Sequence, residues 1–108
     1  DHRDFFEVLE KNGELARISE QVDWDMEAGA IGRRTYEREG PCLLFENVKD
    51  YPKGFRLSNG TTGTWSRVAL ALGLPKDATV REIYRIYEER ISVRIPPNIL
   101  KKEESPCK

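Results

Sequence analysis

Apolar and polar residues along the chain switch between a helical and an extended rhythm, and the switches fall at Gly, Pro, Asn and Asp. "DHRDFFEVLEKNGE" places Phe5, Phe6 and Leu9 on one helical face, with Asp1 or Asp4 as the cap and Asn12–Gly13 as the stop. "ELARIS" alternates like a short strand, Ala16 and Ile18 on one side and Leu15 on the other. "VDWDMEAGAIGRRTYEREGP" predicts a second helix capped by Asp23 or Asp25, with Met26, Ala30 and Ile31 toward the core. Gly29 and Gly32 each weaken that helix by about 1 kcal/mol relative to Ala. Two glycines at i and i+3 therefore predict a close contact between this helix backbone and another element.

"CLLFENV" is an apolar run between Gly-Pro and Asp-Tyr-Pro, which predicts a buried strand. After the Tyr51–Gly54 turn, "FRLSNG" predicts an antiparallel partner. A third helix follows in "TTGTWSRVALALGLP", capped by Thr62 or Thr64, with an apolar stripe at Val68, Ala69 and Leu72. The fourth, "DATVREIYRIYEERIS", opens with a Thr79–Glu82 capping box and sets Val80, Ile83, Tyr84, Tyr87 and Ile91 on a helical stripe. From Arg94 on, "RIPPNILKKEESPCK" has three prolines and no helical period. The expected fold is α+β: about four helices packed on a small, mainly antiparallel sheet over residues 1–93, followed by an extended linker over 94–108.

Composition narrows the function classes. At 108 residues the chain fits one domain, which buries somewhat over roughly 60% of its unfolded surface and leaves little room for an enclosed cofactor cavity. Lys plus Arg number 18 and Asp plus Glu 19, with the signs interleaved, so there is no basic face for nucleic acid. No stretch approaches the roughly 20 apolar residues that span a bilayer. No basic-then-apolar leader opens the chain, and a reduced, cytoplasmic compartment is expected. With Cys42 and Cys107 far apart and His2 the single histidine, no zinc set can be assembled.

Several constellations carry possible chemistry. Cys42, Glu46 and Asn47 bring a thiol, a carboxylate and a carboxamide into one stretch, but no base stands near to make a thiolate, so Cys42 reads as a small buried residue of a core strand. "SNGTTGTWSR" leads from glycines into a helix, yet Gly60-x-x-Gly63 is neither a P-loop nor a dinucleotide fingerprint. It reads as loop and cap, with an anion site or a contact to another domain as the alternative, and Arg67 as the best-placed cation. Asp23/Asp25 flank a helix start, and Glu103/Glu104 lie in the proline-bracketed tail. Trp24 and Trp65 are staples, core residues or interface anchors; Tyr84 and Tyr87 read as amphipathic packing with hydroxyls toward water. None of these sets makes an active site, and no catalytic, cofactor-binding or metal residue is assigned. Arg67, Gly29 and Gly32 are the candidate contacts to a neighbouring domain.

Four segments in order resemble one family. "DFFEVLEKNGELARI", "GPCLLFENVKDYP", "GTTGTWSRVALALGL" and "RIPPNILKKEESPCK" are similar to the opening helix and strand, the G-P-A-L-L-F-E-N-V-K-G segment, the G-T-x-x-R-x-A-L-A-L-G helix and the P-P-x-x-V/I…P-C-K/Q exit of the N-terminal domain of UbiD-type decarboxylases. Cys42 stands where Ala is more usual, and "TTGTW" is a longer loop. The opening and the "LPKDATVREI" helix look closest to the branch acting on hydroxyaryl acids or related aromatic carboxylates. The resemblance implies a carboxy-lyase that removes or adds CO₂ on aromatic or unsaturated acids with prenylated FMN, Mn²⁺ and K⁺. In that family the cofactor, the metals and a Glu-Arg-Glu catalytic set belong to a following split-barrel domain, and no residue here matches those motifs. This chain would then be the non-catalytic N-terminal part, its partners the remaining domains of a parent that forms homo-oligomers. The alternative is a free-standing protein-interaction module of the same fold.

Overall fold

Asp1 opens the first helix, α1 (His2–Lys11), in a capping box: its carboxylate accepts from the Arg3 and Asp4 backbones while Asp4 returns the bond. In the computed structural model, which describes residues 1–100, the chain continues through β1 (Leu15–Val22), α2 (Glu27–Tyr36), β2 (Cys42–Val48), β3 (Leu57–Asn59), α3 (Trp65–Ala71) and α4 (Val80–Ser92). The class is α+β, as the patterning predicts. Thr64 caps α3, and Thr79 with Glu82 forms the capping box of α4.

The sheet has the order β1-β2-β3, and its two pairings differ in sense. β2 and β3 run antiparallel, Leu43 opposite Asn59 and Phe45 opposite Leu57, as the Tyr51–Gly54 turn predicts. β1 and β2 run parallel, Leu15 beside Cys42 and Ile18 beside Phe45, with a register shift between Ile18 and Gln21. An expectation of mainly antiparallel pairing therefore describes the β2–β3 side, whereas the longer pairing is parallel. The reason is connectivity: α2 lies between β1 and β2 in sequence, and a helical crossover returns the chain in the same direction.

β2 is buried on both faces, so it reads as a continuous apolar run. Cys42 and Leu44 pack with Phe6 and Leu9 of α1 on one face, while Leu43 and Phe45 pack with Val22 and Ala28 on the other. Two small cores thus sit on either side of one strand.

Two helices depart from their predicted faces. α2 buries Ala28 and Gly32, while Met26 is 82% exposed and Ala30 and Ile31 face outward. The cap is different as well: Met26 occupies the N-cap with φ +67° and no side-chain bond. Asp23 is unavailable because Lys49 and the Asp25 N–H already hold its carboxylate. Small residues face inward because the helix lies close over the sheet: a Cβ on Gly32 would come 2.3 Å from Asn59 Nδ2, whereas one on Gly29 would meet nothing within 4 Å. The close approach predicted for the glycine pair therefore belongs to Gly32 alone.

That asymmetry gives opposite expectations for the two glycines. Gly29→Ala removes backbone entropy in open space and is expected to raise stability by up to about 1 kcal/mol. Gly32→Leu overfills the α2–β3 contact and is expected to lower it by about 1–3 kcal/mol. Thermal melts of the two variants, with shifts of opposite sign, check this.

α4 is the second departure. Of the predicted stripe only Ile83 is buried; Val80, Tyr84, Tyr87 and Ile91 are exposed, while Ile86, outside that stripe, is half-buried. The sheet faces are already taken by α1 and α2, and α4 meets the body through α3. Beyond Ser92 the residues to Leu100 carry no helix or strand and are exposed. The remainder of the predicted linker, with Glu103, Glu104 and Cys107, lies outside the described residues. Among the described residues no helix is long and apolar enough to cross a membrane.

Candidate functional site

Arg67 sits one turn into α3, where the Thr64 cap fixes the start of the helix and its Oγ1 accepts from the Arg67 N–H at 3.4 Å. The side chain is 1% exposed, the largest fully buried one among the described residues. Its Nη1 donates to Glu14 Oε2 at 3.1 Å and to the Gly40 carbonyl at 2.9 Å. The Gly60–Gly63 turn wraps the guanidinium so closely that a Cβ on Gly63 would come 3.1 Å from Nη2. One cation thus ties together the entry to β1, the entry to β2, the loop after β3 and α3. The glycine-rich loop closes on a side chain of its own domain, which leaves the Arg67 charge committed internally. Glu14, its partner, carried no sequence signal, because it lies 53 positions away across the sheet.

Cys42 is fully buried, and burial pushes its thiol pKa up against the weaker opposing pull of Arg67. Glu46 accepts from Arg17 at 2.8 Å, and Asn47 is exposed at the strand end. The three are therefore not brought together. Arg17 also grips Glu10 through two bonds, at 2.7 and 2.9 Å, tying α1 to β1 and β2. Its guanidinium is correspondingly held charged, and the Glu10 carboxyl is held below its ordinary range by that hydrogen bond.

Asp23 and Asp25 do not converge on a common point either. Hydrogen bonds from Lys49 and the Asp25 N–H hold the Asp23 carboxyl low, so this tie is intact at neutral pH and is released in acid as pH falls through that lowered value. The Lys49 N–H also donates to the Val22 carbonyl at 3.0 Å, joining the loops that leave the parallel strands. Among the described residues no group of three or more His, Cys, Asp or Glu could hold a metal ion.

A concavity of about 730 Å³ lies between the end of α2 and the start of α3. Glu14, Tyr36, Glu37, Glu39, Thr64 and Trp65 are among its walls, and no lysine or arginine lines it. Glu14 is paired with Arg67 and Glu37 with Arg33 and Arg34, and with no lysine or arginine in its lining the hollow offers no cation to hold a phosphate or an acid substrate. The described residues thus fit neither the phosphate of a flavin nor a divalent metal, and no catalytic step is derived from them. Trp65 forms one rim and packs at a tilt against Tyr84 of α4, centroids 6.0 Å apart at 47°. What this side of the molecule offers is an apolar face beside a hollow whose wall carboxylates Glu14 and Glu37 are already paired with arginines.

A family profile described as the 3-octaprenyl-4-hydroxybenzoate carboxy-lyase N-terminal domain matches residues 6–87. The chain belongs to this family. The UbiD relatives include a phenolic acid decarboxylase of Sedimentibacter hydroxybenzoicus, 33% identical over all of this chain and 23% of its own length. A pyrrole-2-carboxylic acid decarboxylase of Pseudomonas aeruginosa is 36% identical over 90% of this chain and 21% of its own. Among solved structures, the closed form of the Sedimentibacter vanillic acid decarboxylase superposes with a TM-score of 0.80 at 33% identity, covering 100% of this chain and 23% of that one. An evolved dimeric form of the UbiD-class enzyme HmfF from Pelotomaculum thermopropionicum, in complex with prenylated FMN, gives a TM-score of 0.59 at 31% identity over 68% of this chain and 16% of that one. The chain therefore spans under a quarter of the curated UbiD relatives it matches.

Proposed function

We propose that this chain is the non-catalytic N-terminal domain of a UbiD-type carboxy-lyase that decarboxylates or carboxylates an aromatic or unsaturated acid with prenylated FMN. The observation that carries this reading is the family match over residues 6–87 in relatives more than four times as long. Prenylated FMN, Mn²⁺ and K⁺ would be held by the rest of the parent, since no lysine or arginine lines the hollow beside α3 to meet a flavin phosphate and no group of three or more His, Cys, Asp or Glu among the described residues could hold a metal ion. The relatives act on phenolic and pyrrole carboxylic acids, which favours an aromatic acid as substrate here. The part played by this domain is to pack on the flavin-binding region and shape the approach to its active site, within a homo-oligomeric parent.

The test compares two proteins given prenylated FMN and Mn²⁺. The full gene product is expected to show flavin absorbance and to release CO₂ from a hydroxybenzoate or pyrrole-2-carboxylate. Residues 1–108 alone are expected to show neither. Turnover by the 108-residue chain would overturn the assignment.

A further inference from the structure

α4 carries more apolar surface than its own domain uses. Val80, Tyr84, Tyr87 and Ile91 fall on one face at i, i+4, i+7 and i+11, and are 41%, 55%, 51% and 59% exposed. The face that packs inward is a neighbouring one, with Ile83 buried and Ile86 half-buried. Trp65 extends the stripe onto α3 through its contact with Tyr84. Past the helix the same character continues in Val93, Ile95, Ile99 and Leu100, all exposed. Contiguous apolar surface of this kind marks a face that is covered in the working molecule.

Two observations say what covers it. In the UbiD relatives the region equivalent to this chain is under a quarter of the polypeptide. Whatever follows residue 100 is tethered to α4 through the short stretch after Ser92, which keeps it at high effective concentration beside that helix. We propose that the face formed by Val80, Tyr84, Tyr87, Ile91 and Trp65 is the surface on which the downstream part of the same polypeptide docks. This rests on the reading above that the chain is one domain of a longer enzyme, and adds which surface makes the joint. Arg67, committed inside the domain, anchors α3, the helix that α4 packs against.

Hydroxyl-radical footprinting of the full gene product tests this with an internal standard. Tyr51, on the loop after β2, is 51% exposed, the same as Tyr87 and close to Tyr84. Docking predicts that Tyr84 and Tyr87 are labelled about tenfold more slowly than Tyr51, as for side chains taken from half-exposed to desolvated. In a Val80→Arg/Ile91→Arg variant, Tyr87 is expected to rise to the Tyr51 rate. Equal labelling of Tyr51, Tyr84 and Tyr87 in a gene product that is a working flavin decarboxylase would overturn the docking face while leaving the enzyme assignment standing. A gene product ending at residue 108 would overturn both.

Discussion

Arg67→Ala is expected to cost this chain about 3–5 kcal/mol, the range for removing one partner of a buried ion pair. A domain of this size holds on the order of 5–15 kcal/mol in total, so the variant would be largely unfolded under mild stress. The loss has three sources. Glu14 loses its ion-pair partner, the Gly40 carbonyl loses its donor, and the Gly60–Gly63 turn loses the guanidinium it encloses. Arg67→Lys retains a charge but replaces a planar fork with a single ammonium, and is expected to fall between Ala and the native residue. Urea unfolding reads both variants. A change within about 0.5 kcal/mol, typical of surface positions, would mean that Arg67 is not the tie described here.

Phe45→Ala is the second large effect, expected at about 3–5 kcal/mol because the ring is fully buried between β2 and α2 and leaves a cavity. Its neighbour on the strand supplies the contrast. Cys42→Ala deletes one buried atom and is expected to cost only about 1 kcal/mol, while leaving the decarboxylation rate of the full gene product unchanged. A reactive thiol would give the reverse pattern, with little change in stability and a lost rate. The pair of variants therefore decides whether "GPCLLFENV" is core or chemistry.

The strand "CLLFENV" was legible because a two-sided buried strand leaves an unbroken apolar run, and the Thr79–Glu82 cap because both halves of the box stand three residues apart. Other features were not, for physical reasons. The parallel sense of β1 and β2 depends on where the chain re-enters the sheet after α2, which no local pattern encodes. The α2 face was misplaced because its inward positions are the small ones, Ala28 and Gly32, while its large apolar residues point out. α4 has a regular helical stripe, and the amphipathic rule assigns that stripe to a core. The structure leaves it uncovered because amphipathicity reports that a face is buried somewhere, without saying whether its own domain does the burying. The same distinction separates Gly32, which meets Asn59, from Gly29, which meets nothing. Arg67 was legible as a cation beside a glycine turn, but its direction was not, since its partner Glu14 lies 53 positions away.

If these residues are one domain of a larger carboxy-lyase, the native gene product isolated from its own cells has an intact mass several times the 12.5 kDa of this chain and carries flavin absorbance. A product at 12.5 kDa would contradict that assignment and make the α4 face a site for a separate partner.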